Sequence, residues 1–181
     1  QVGSSAASDV YKRQGVILAH ELLDALPVQR FGLHNSCWHE WLVGLDEQQL
    51  PHWQIGDHLA ESVVQQLEQL GLSSDGGGRP EGWSSEWCPV MAPWLAQARA
   101  CLSQGWLLAI DYAMPAKRYY APSRDGGTLL ACRDQSTSSE LLRDPGLMDL
   151  TAHVCTTLVE QLGVKVGWSW QGAALQGEVL L

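Results

Sequence analysis

The chain has 181 residues and a formal net charge of −9, from 20 acidic residues against 11 lysines and arginines. This length is enough for one domain. The acidic balance argues against nucleic-acid binding, because phosphate contacts need clustered lysine and arginine. No apolar run of about 18 residues is present, so the sequence predicts no membrane span. Five cysteines without a Cys-x-x-Cys pair are typical of reduced thiols and not of a disulfide framework or a zinc site.

The first fourteen residues differ in character from the rest of the chain. Residues 1–14 are rich in serine and alanine and have no periodicity, which is typical of a translated adapter sequence. We therefore expect a non-native tail at 1–14 and an incomplete domain at 15–181. The domain begins on a core strand, and Glu178–Leu181 stops within what resembles another strand, so truncation at both ends is expected.

The first predicted element is a short apolar strand, Val16–Ala19, followed at once by polar residues. Such a run is typical of a strand buried on both faces of a parallel sheet. In open α/β sheets, ligands bind beyond the carboxyl ends of the strands. Glu21 and Asp24 therefore lie where a catalytic or binding carboxylate is expected. The alternative is a first helical turn whose acids favour the helix dipole.

The middle of the chain predicts a hairpin and two helices. Residues 28–34 and 37–45 form the hairpin. Asp57 is the expected N-cap of a helix over 58–70, whose apolar residues recur with the helical period and which Gly71 ends. After a flexible loop, a second helix starts at Pro89 or Pro93 and reaches Gln104.

The last third of the chain begins with a second apolar strand, Trp106–Ile110, that ends in Asp111 and Tyr112. Further strands are predicted over 128–133, 150–154 and 164–170, with a helix over 156–162 that Gly163 ends. Strands that alternate with helices predict an α/β domain with a mostly parallel sheet.

Several common kinds of site have little support in this sequence. No Gly-x-Ser-x-Gly elbow is present for a catalytic serine. No His-x-x-x-His pair suggests a metal site. The glycine run 76–78 follows no predicted strand and opens no clear helix, so it is interpreted as a linker, and 124–128 is interpreted as a turn that enters a strand.

Six segments occur in an order that resembles one known family. They are HELLDALPV at 20–28, Glu86-x-x-Pro89, LLAIDY at 107–112, RDGGTLLACRDQ at 124–135, DPGLMDLTAHV at 144–154 and Gln171-Gly172. The chain resembles the MidA-type methyltransferases, which include a mitochondrial complex I assembly factor that methylates an arginine. The resemblance covers nearly all of residues 15–181 and corresponds to the C-terminal part of the family's domain.

The resemblance implies a partial class I, Rossmann-like methyltransferase sheet with an inserted hairpin and helices, using S-adenosyl-L-methionine. The family's glycine-rich cofactor loop lies upstream of residue 15, and the family has Asn where His20 stands. In the implied site, Glu21 orients the target nitrogen, Asp24 supports Glu21 or the local fold, and Ala19 and His20 lie beside the cofactor. The substrate side comprises Asp111, Tyr112, Asp149, Thr151 and His153, although the stretch 149–153 is equally typical of a turn and strand start.

The function that the resemblance implies is methylation of a protein arginine in support of a respiratory NADH dehydrogenase-like complex. The expected partner is then a protein substrate, with no nucleic acid and no membrane span, and the oligomeric state is open. The expected location is the cytoplasm of a bacterium, or the mitochondrial matrix in a eukaryote. Alternatives are a non-catalytic assembly module with the same fold and a small-molecule methyltransferase. The fragment by itself is expected to be inactive.

Overall fold

The computed structural model describes residues 13–179 of the chain. Its class is mixed α/β, as predicted. The expected tail at 1–14 lies outside the described residues, except for Arg13 and Gln14. The elements in chain order are β1 (Arg13–His20), β2 (Gln29–His34), β3 (Cys37–Leu45), β4 (Pro51–His58), α1 (Glu61–Gln69), β5 (Ser84–Trp87), α2 (Met91–Ala100), β6 (Leu102–Ile110), β7 (Ala113–Met114), α3 (Ala116–Tyr119), β8 (Leu130–Arg133), β9 (Ser136–Ser138), β10 (Asp149–Thr151), β11 (Val154–Cys155), α4 (Thr156–Lys165) and α5 (Gln176–Val179).

The two apolar strands of the sequence, β1 and β6, pair in parallel. Their register runs from Gln14 opposite Gln104 to His20 opposite Ile110. The expectation that β1 is buried on both faces is wrong, because Val16 is 64% exposed and its neighbour Trp106 is 60% exposed. In the described part of the chain, β1 and β6 form a two-stranded sheet. One apolar face of that sheet is therefore open to solvent.

The hairpin prediction is confirmed by β2 and β3, which belong to a four-stranded antiparallel sheet in the order β4-β3-β2-β5. The prediction of a helix from residue 58 is wrong at its start. Asp57 lies in β4, whose backbone pairs with β3, so the helix α1 begins at Glu61 after Ala60. Asp57 is therefore a strand residue and not a helix cap.

Two boundaries around the helices α2 and α4 differ from the prediction. The helix α2 ends at Ala100 and not at Gln104, because Leu102 already pairs with Arg13 of β1. The helix α4 continues through Gly163 to Lys165, so the predicted strand 164–170 is wrong. The segment after α4 is fixed instead by Trp168, whose Nε1 donates to the carbonyl of Leu95 at 3.0 Å.

The sheet is less parallel than the alternation of elements predicted. The strand over 128–133 is present as β8, in a three-stranded antiparallel sheet of order β10-β8-β9. The predicted strand 150–154 divides into β10 and β11, and β11 pairs in parallel with β7. Both larger sheets of the described residues are antiparallel, so the expectation of a mostly parallel sheet is wrong.

The C-terminal residues 178–181 were expected in a strand. Glu178 and Val179 are helical instead, and residues 180–181 lie outside the described residues.

An aromatic cluster forms the centre of the core. Phe31 and Trp38 meet edge to face with ring centroids 5.4 Å apart, and Trp38 and Trp83 meet likewise at 5.8 Å. Such pairs contribute beyond the area they bury. Leu23 belongs to the same core cluster, so the segment after β1 is anchored to the core. No helix within residues 13–179 is long and apolar enough to cross a membrane.

Candidate functional site

The carboxyl ends of β1 and β6 bring Glu21 and Asp111 to the same edge of the two-stranded sheet. His20 lies opposite Ile110, and the backbone N–H of Glu21 donates to the Ile110 carbonyl at 2.9 Å. Glu21 has a φ of 46°, a left-handed conformation that residues other than glycine seldom adopt. Such strain is found disproportionately at functional sites. This sheet edge is therefore the candidate site.

The carboxylate of Asp111 holds the segment that follows β1. Its Oδ2 accepts hydrogen bonds from the backbone N–H groups of Leu23 at 3.0 Å and Asp24 at 3.3 Å, and its Oδ1 accepts from the N–H of Tyr112 at 2.8 Å. Burial and then the nearby charge of Asp24 raise the pKa of Asp111, against the effect of these hydrogen bonds. Asp111 therefore fixes the backbone of the neighbouring acidic segment.

Asp24 connects this segment to β10. Its Oδ2 accepts a hydrogen bond from the Thr151 hydroxyl at 2.8 Å, and its carbonyl accepts one from the N–H of Ala152 at 2.9 Å. Residues 24 and 151 are far apart in the chain, and this pair of bonds brings the DLTAH segment to the edge where β1 and β6 end. The Asp24 carboxylate therefore has one oxygen engaged within the protein.

Tyr112 and His153 form the aromatic side of the site. Their rings stack with centroids 6.2 Å apart and an interplanar angle of 21°. The N–H of Val154 donates to the Tyr112 carbonyl at 2.8 Å, which keeps the two segments together. Burial, followed by the charge of Arg124, lowers the pKa of His153. The imidazole is therefore biased toward its neutral form.

The structure brings together five of the nine predicted site residues through direct contacts: Asp24, Asp111, Tyr112, Thr151 and His153. Glu21 and His20 lie at the same edge with exposed side chains, whereas Ala19 is buried at 1% exposure. Asp149 is exposed on β10 opposite Cys132, and no contact within the described residues joins its side chain to the others.

Glu86, a residue connected to the site, belongs to the Glu86-x-x-Pro89 motif, from which no role was predicted. Glu86 is fully buried, and its Oε1 accepts hydrogen bonds from the hydroxyl of Tyr119 and from the N–H and hydroxyl of Thr128. Acidic side chains are almost never fully buried without partners. No local pattern in the sequence indicates this environment, because the donors come from residues 119 and 128.

One cavity among the described residues does not coincide with these acidic residues. Its volume is about 770 Å³, and its walls include Arg99, Trp106 and Trp168 beside the β6 strand. None of the nine predicted site residues lines it. The hydrogen-bonded cluster at the strand ends is the stronger candidate, because it combines carboxylates, an imidazole and a strained backbone in one place.

Comparison with known proteins gives the family. Residues 4–174 match a family model described as "Putative S-adenosyl-L-methionine-dependent methyltransferase". The chain belongs to this methyltransferase family. The predictions of a methyltransferase family and of S-adenosyl-L-methionine as its cofactor are therefore confirmed. No curated protein matches the chain.

Two solved structures from Burkholderia thailandensis are similar to this chain. One is described as a "likely methyl transferase" bound to S-adenosyl-homocysteine, with 26% identity and a TM-score of 0.77 over 86% of this chain. The other is the native structure of an uncharacterized superfamily protein, with 27% identity and a TM-score of 0.74 over the same share. The chain spans 38% and 40% of the lengths of these two proteins.

Residues 13–179 do not contain one common kind of cofactor cradle. A nucleotide-containing cofactor is commonly held by a glycine-rich turn that joins a strand to the N-terminus of a helix. Within residues 13–179, no strand leads through such a turn into a helix. The glycine run 76–78 follows α1, and a Cβ added at Gly76 would collide with the Leu33 side chain. The described residues therefore include the acidic candidate site but no glycine-rich cradle of this kind.

Proposed function

We propose that this chain is the substrate-binding part of a MidA-type methyltransferase and that its substrate is an arginine side chain of a protein. In this proposal, 15–181 is an incomplete methyltransferase domain, 1–14 is a non-native tail, and the cofactor loop belongs to the complete protein. The observation that carries the proposal is the hydrogen bond from the Asp24 N–H to the Asp111 carboxylate, beside Glu21, whose own N–H bonds to Ile110. Carboxylates suit a guanidinium, because they can accept two parallel N–H bonds from it.

Each carboxylate has a different role in the proposal. Glu21, exposed at the end of β1, orients the target nitrogen. Asp24 and Asp111 hold the backbone that carries Glu21 and place negative charge beside the guanidinium. Tyr112, Thr151 and His153 line the substrate side, and Asp149 lies further out on β10. Ala19 and His20 lie beside the cofactor. A guanidinium is protonated in water, so it must lose a proton when a methyl group is added.

The resemblance of the sequence motifs is what supports the finer parts of the proposal. These parts are a subunit of a respiratory NADH dehydrogenase as the methylated protein, and a bacterial cytoplasm or a mitochondrial matrix as the location. A non-catalytic assembly module with the same fold is the second candidate. The observation that favours it is His20, which stands where the family has Asn, since an imidazole and an amide offer different donors and acceptors.

The test uses the complete protein that contains this segment. The complete protein and S-adenosylmethionine with a tritiated methyl group are added to an extract from cells that lack the protein. The labelled amino acid is identified after acid hydrolysis. We expect labelled methylarginine, and a loss of about 100-fold or more for Glu21→Gln, comparable to the loss of one positioned catalytic group. Glu68→Gln, an exposed change on α1, is the matched control and should transfer methyl groups at the normal rate.

Three outcomes separate the candidates. Labelled methylarginine that depends on Glu21 supports the proposal. Full activity of Glu21→Gln refutes the role of that residue, and label on another amino acid or on a small molecule refutes the substrate class. If the complete protein binds S-adenosylmethionine in calorimetry but transfers no methyl group to any fraction of the extract, the non-catalytic module is the correct interpretation.

A further inference from the structure

The buried Glu86 is connected to the candidate site by a chain of hydrogen bonds. Its Oε1 accepts from the Thr128 hydroxyl at 2.7 Å, and the Thr128 oxygen in turn accepts from the backbone N–H of His153 at 2.9 Å. A threonine hydroxyl has one proton to donate. Thr128 uses this proton in the short bond to the Glu86 carboxylate, because hydrogen bonds to ionised groups are stronger. The lone pairs of the Thr128 oxygen therefore accept the hydrogen bond from the His153 N–H.

The surroundings of Glu86 fix its position from several sides. The Tyr119 hydroxyl donates to Oε1 at 2.9 Å, and the Thr128 N–H donates to the same oxygen at 2.8 Å. Oε2 is buried without a partner in the described residues and lies against Gly127, where an added Cβ would overlap it. The Arg30 guanidinium donates a hydrogen bond to the Gly126 carbonyl of the same turn at 3.0 Å. The turn 126–128 is therefore held between Arg30 and Glu86.

We infer that Glu86 is a positioning residue that acts through Thr128 to hold the backbone of His153, and with it the imidazole ring, in place at the candidate site. The backbone of His153 is held by Thr128, and its ring is held by stacking on Tyr112. Four charged groups influence this imidazole: Arg124 and Arg118 disfavour its protonation, and Glu86 and Asp111 favour it. Loss of the Glu86 charge should therefore lower the pKa of His153 further.

This link gives His153 a chemical use at the site. A neutral imidazole held beside the carboxylates can accept the proton that a guanidinium releases when it is alkylated. That use depends on the proposed function, whereas the dependence of His153 on Glu86 does not. The two can therefore be tested by separate measurements.

The test is an NMR titration of the histidine rings in the 181-residue chain labelled with ¹³C- and ¹⁵N-histidine. His153 is assigned by the signal that disappears in His153→Asn. We expect Glu86→Gln to shift the His153 midpoint to lower pH. Thr128→Val should change the His153 ring shifts, and Thr128→Ser, which keeps the hydroxyl, should leave them unchanged. In the control, Glu81→Gln should leave the His153 ring signals unchanged and should alter those of His34, which Glu81 contacts at 2.7 Å.

An unchanged His153 titration in folded Glu86→Gln overturns the inference. If circular dichroism shows that Glu86→Gln does not fold, the threonine pair decides, and equal His153 shifts in the Val and Ser variants overturn it. In the complete protein, Glu86→Gln should also move the pH dependence of methyl transfer. If His153 responds in the titration while the normal complete protein methylates nothing, the inference stands and the proposed function fails.

Discussion

Replacing Asp111 tests whether its carboxylate holds the acidic segment in place. Asp111→Ala removes the acceptor for the N–H groups of Leu23 and Asp24, which lie at 3.0 and 3.3 Å from Oδ2. Hydrogen bonds to charged groups contribute about 1.5–3 kcal/mol each. The low end for the two bonds together is about 3 kcal/mol. Because Asp111 is only half-buried and its removal relieves repulsion with Asp24, we expect a smaller net loss of about 2 kcal/mol in the free energy of unfolding.

The assay is urea denaturation of the 181-residue chain, followed by tryptophan fluorescence. With a slope of about 2 kcal/mol per molar urea, the expected loss moves the midpoint down by about 1 M. Asp57→Ala, an exposed change in β4, is the control and should cost less than about 0.5 kcal/mol. Equal midpoints for Asp111→Ala and Asp57→Ala would show that the Asp111 hydrogen bonds do not hold the segment.

The pH dependence of the same measurement has a defined sign. The pKa of Asp111 is raised in the folded chain, by burial and by Asp24, so the native state keeps this proton to a higher pH than the unfolded state. The stability that this raised pKa of Asp111 contributes is complete below the unfolded pKa, and it is lost as the pH rises through the folded pKa. Asp111→Asn should remove this decrease in stability with pH. It should also cost less than Asp111→Ala, because the amide oxygen can still accept from the backbone.

Two further predictions concern other parts of the chain. Gly127→Ala should reduce the free energy of unfolding by more than about 2 kcal/mol in the same assay, since its Cβ would overlap Glu86 and its φ is +77°. Gly126→Ala, where φ is +88° and the space is open, should cost only about 1 kcal/mol. Equal costs for the two variants would contradict the contact between residue 127 and Glu86. Burial raises the pKa of Cys155 to about 11, so iodoacetamide at pH 8 should label the exposed Cys37 and spare Cys155 in native-state mass spectrometry. Labelling of both at the same rate would contradict that burial.

The elements that sequence predicted well are those whose pattern needs no distant partner. The hairpin over 28–45 has two extended runs that meet in the turn at Asn35 and Ser36, both with positive φ, and the structure forms it as β2 and β3. The apolar runs of β1 and β6 were also found, and their parallel pairing placed Glu21 and Asp111 at one edge. Local periodicity predicted these elements, and the tendency of ligands to bind beyond the carboxyl ends of strands predicted the edge.

The errors arose where tertiary pairing decides between two local structures. Residues 57 and 58 look like a helix start with an acidic cap, but the pairing of β4 with β3 uses their backbone in a sheet. The segment 164–170 alternates like a strand. Its first two residues instead extend α4, and Trp168 docks on α2. The role of Glu86 was hidden for the same reason, because its donors come from residues 119 and 128 and no local pattern shows them.

The three acids of the candidate site differ in how much of their hydrogen-bonding capacity the protein already uses. Both oxygens of Asp111 accept backbone N–H groups, and one oxygen of Asp24 accepts the Thr151 hydroxyl. The Glu21 side chain makes no hydrogen bond or ion pair within the described residues, and its backbone is held in a left-handed conformation that costs energy. An exposed carboxylate at the strand end is free to accept hydrogen bonds from a ligand, whereas the oxygens of Asp111 are already engaged. For this reason Glu21, and not Asp24 or Asp111, is the acid that we expect to touch the substrate.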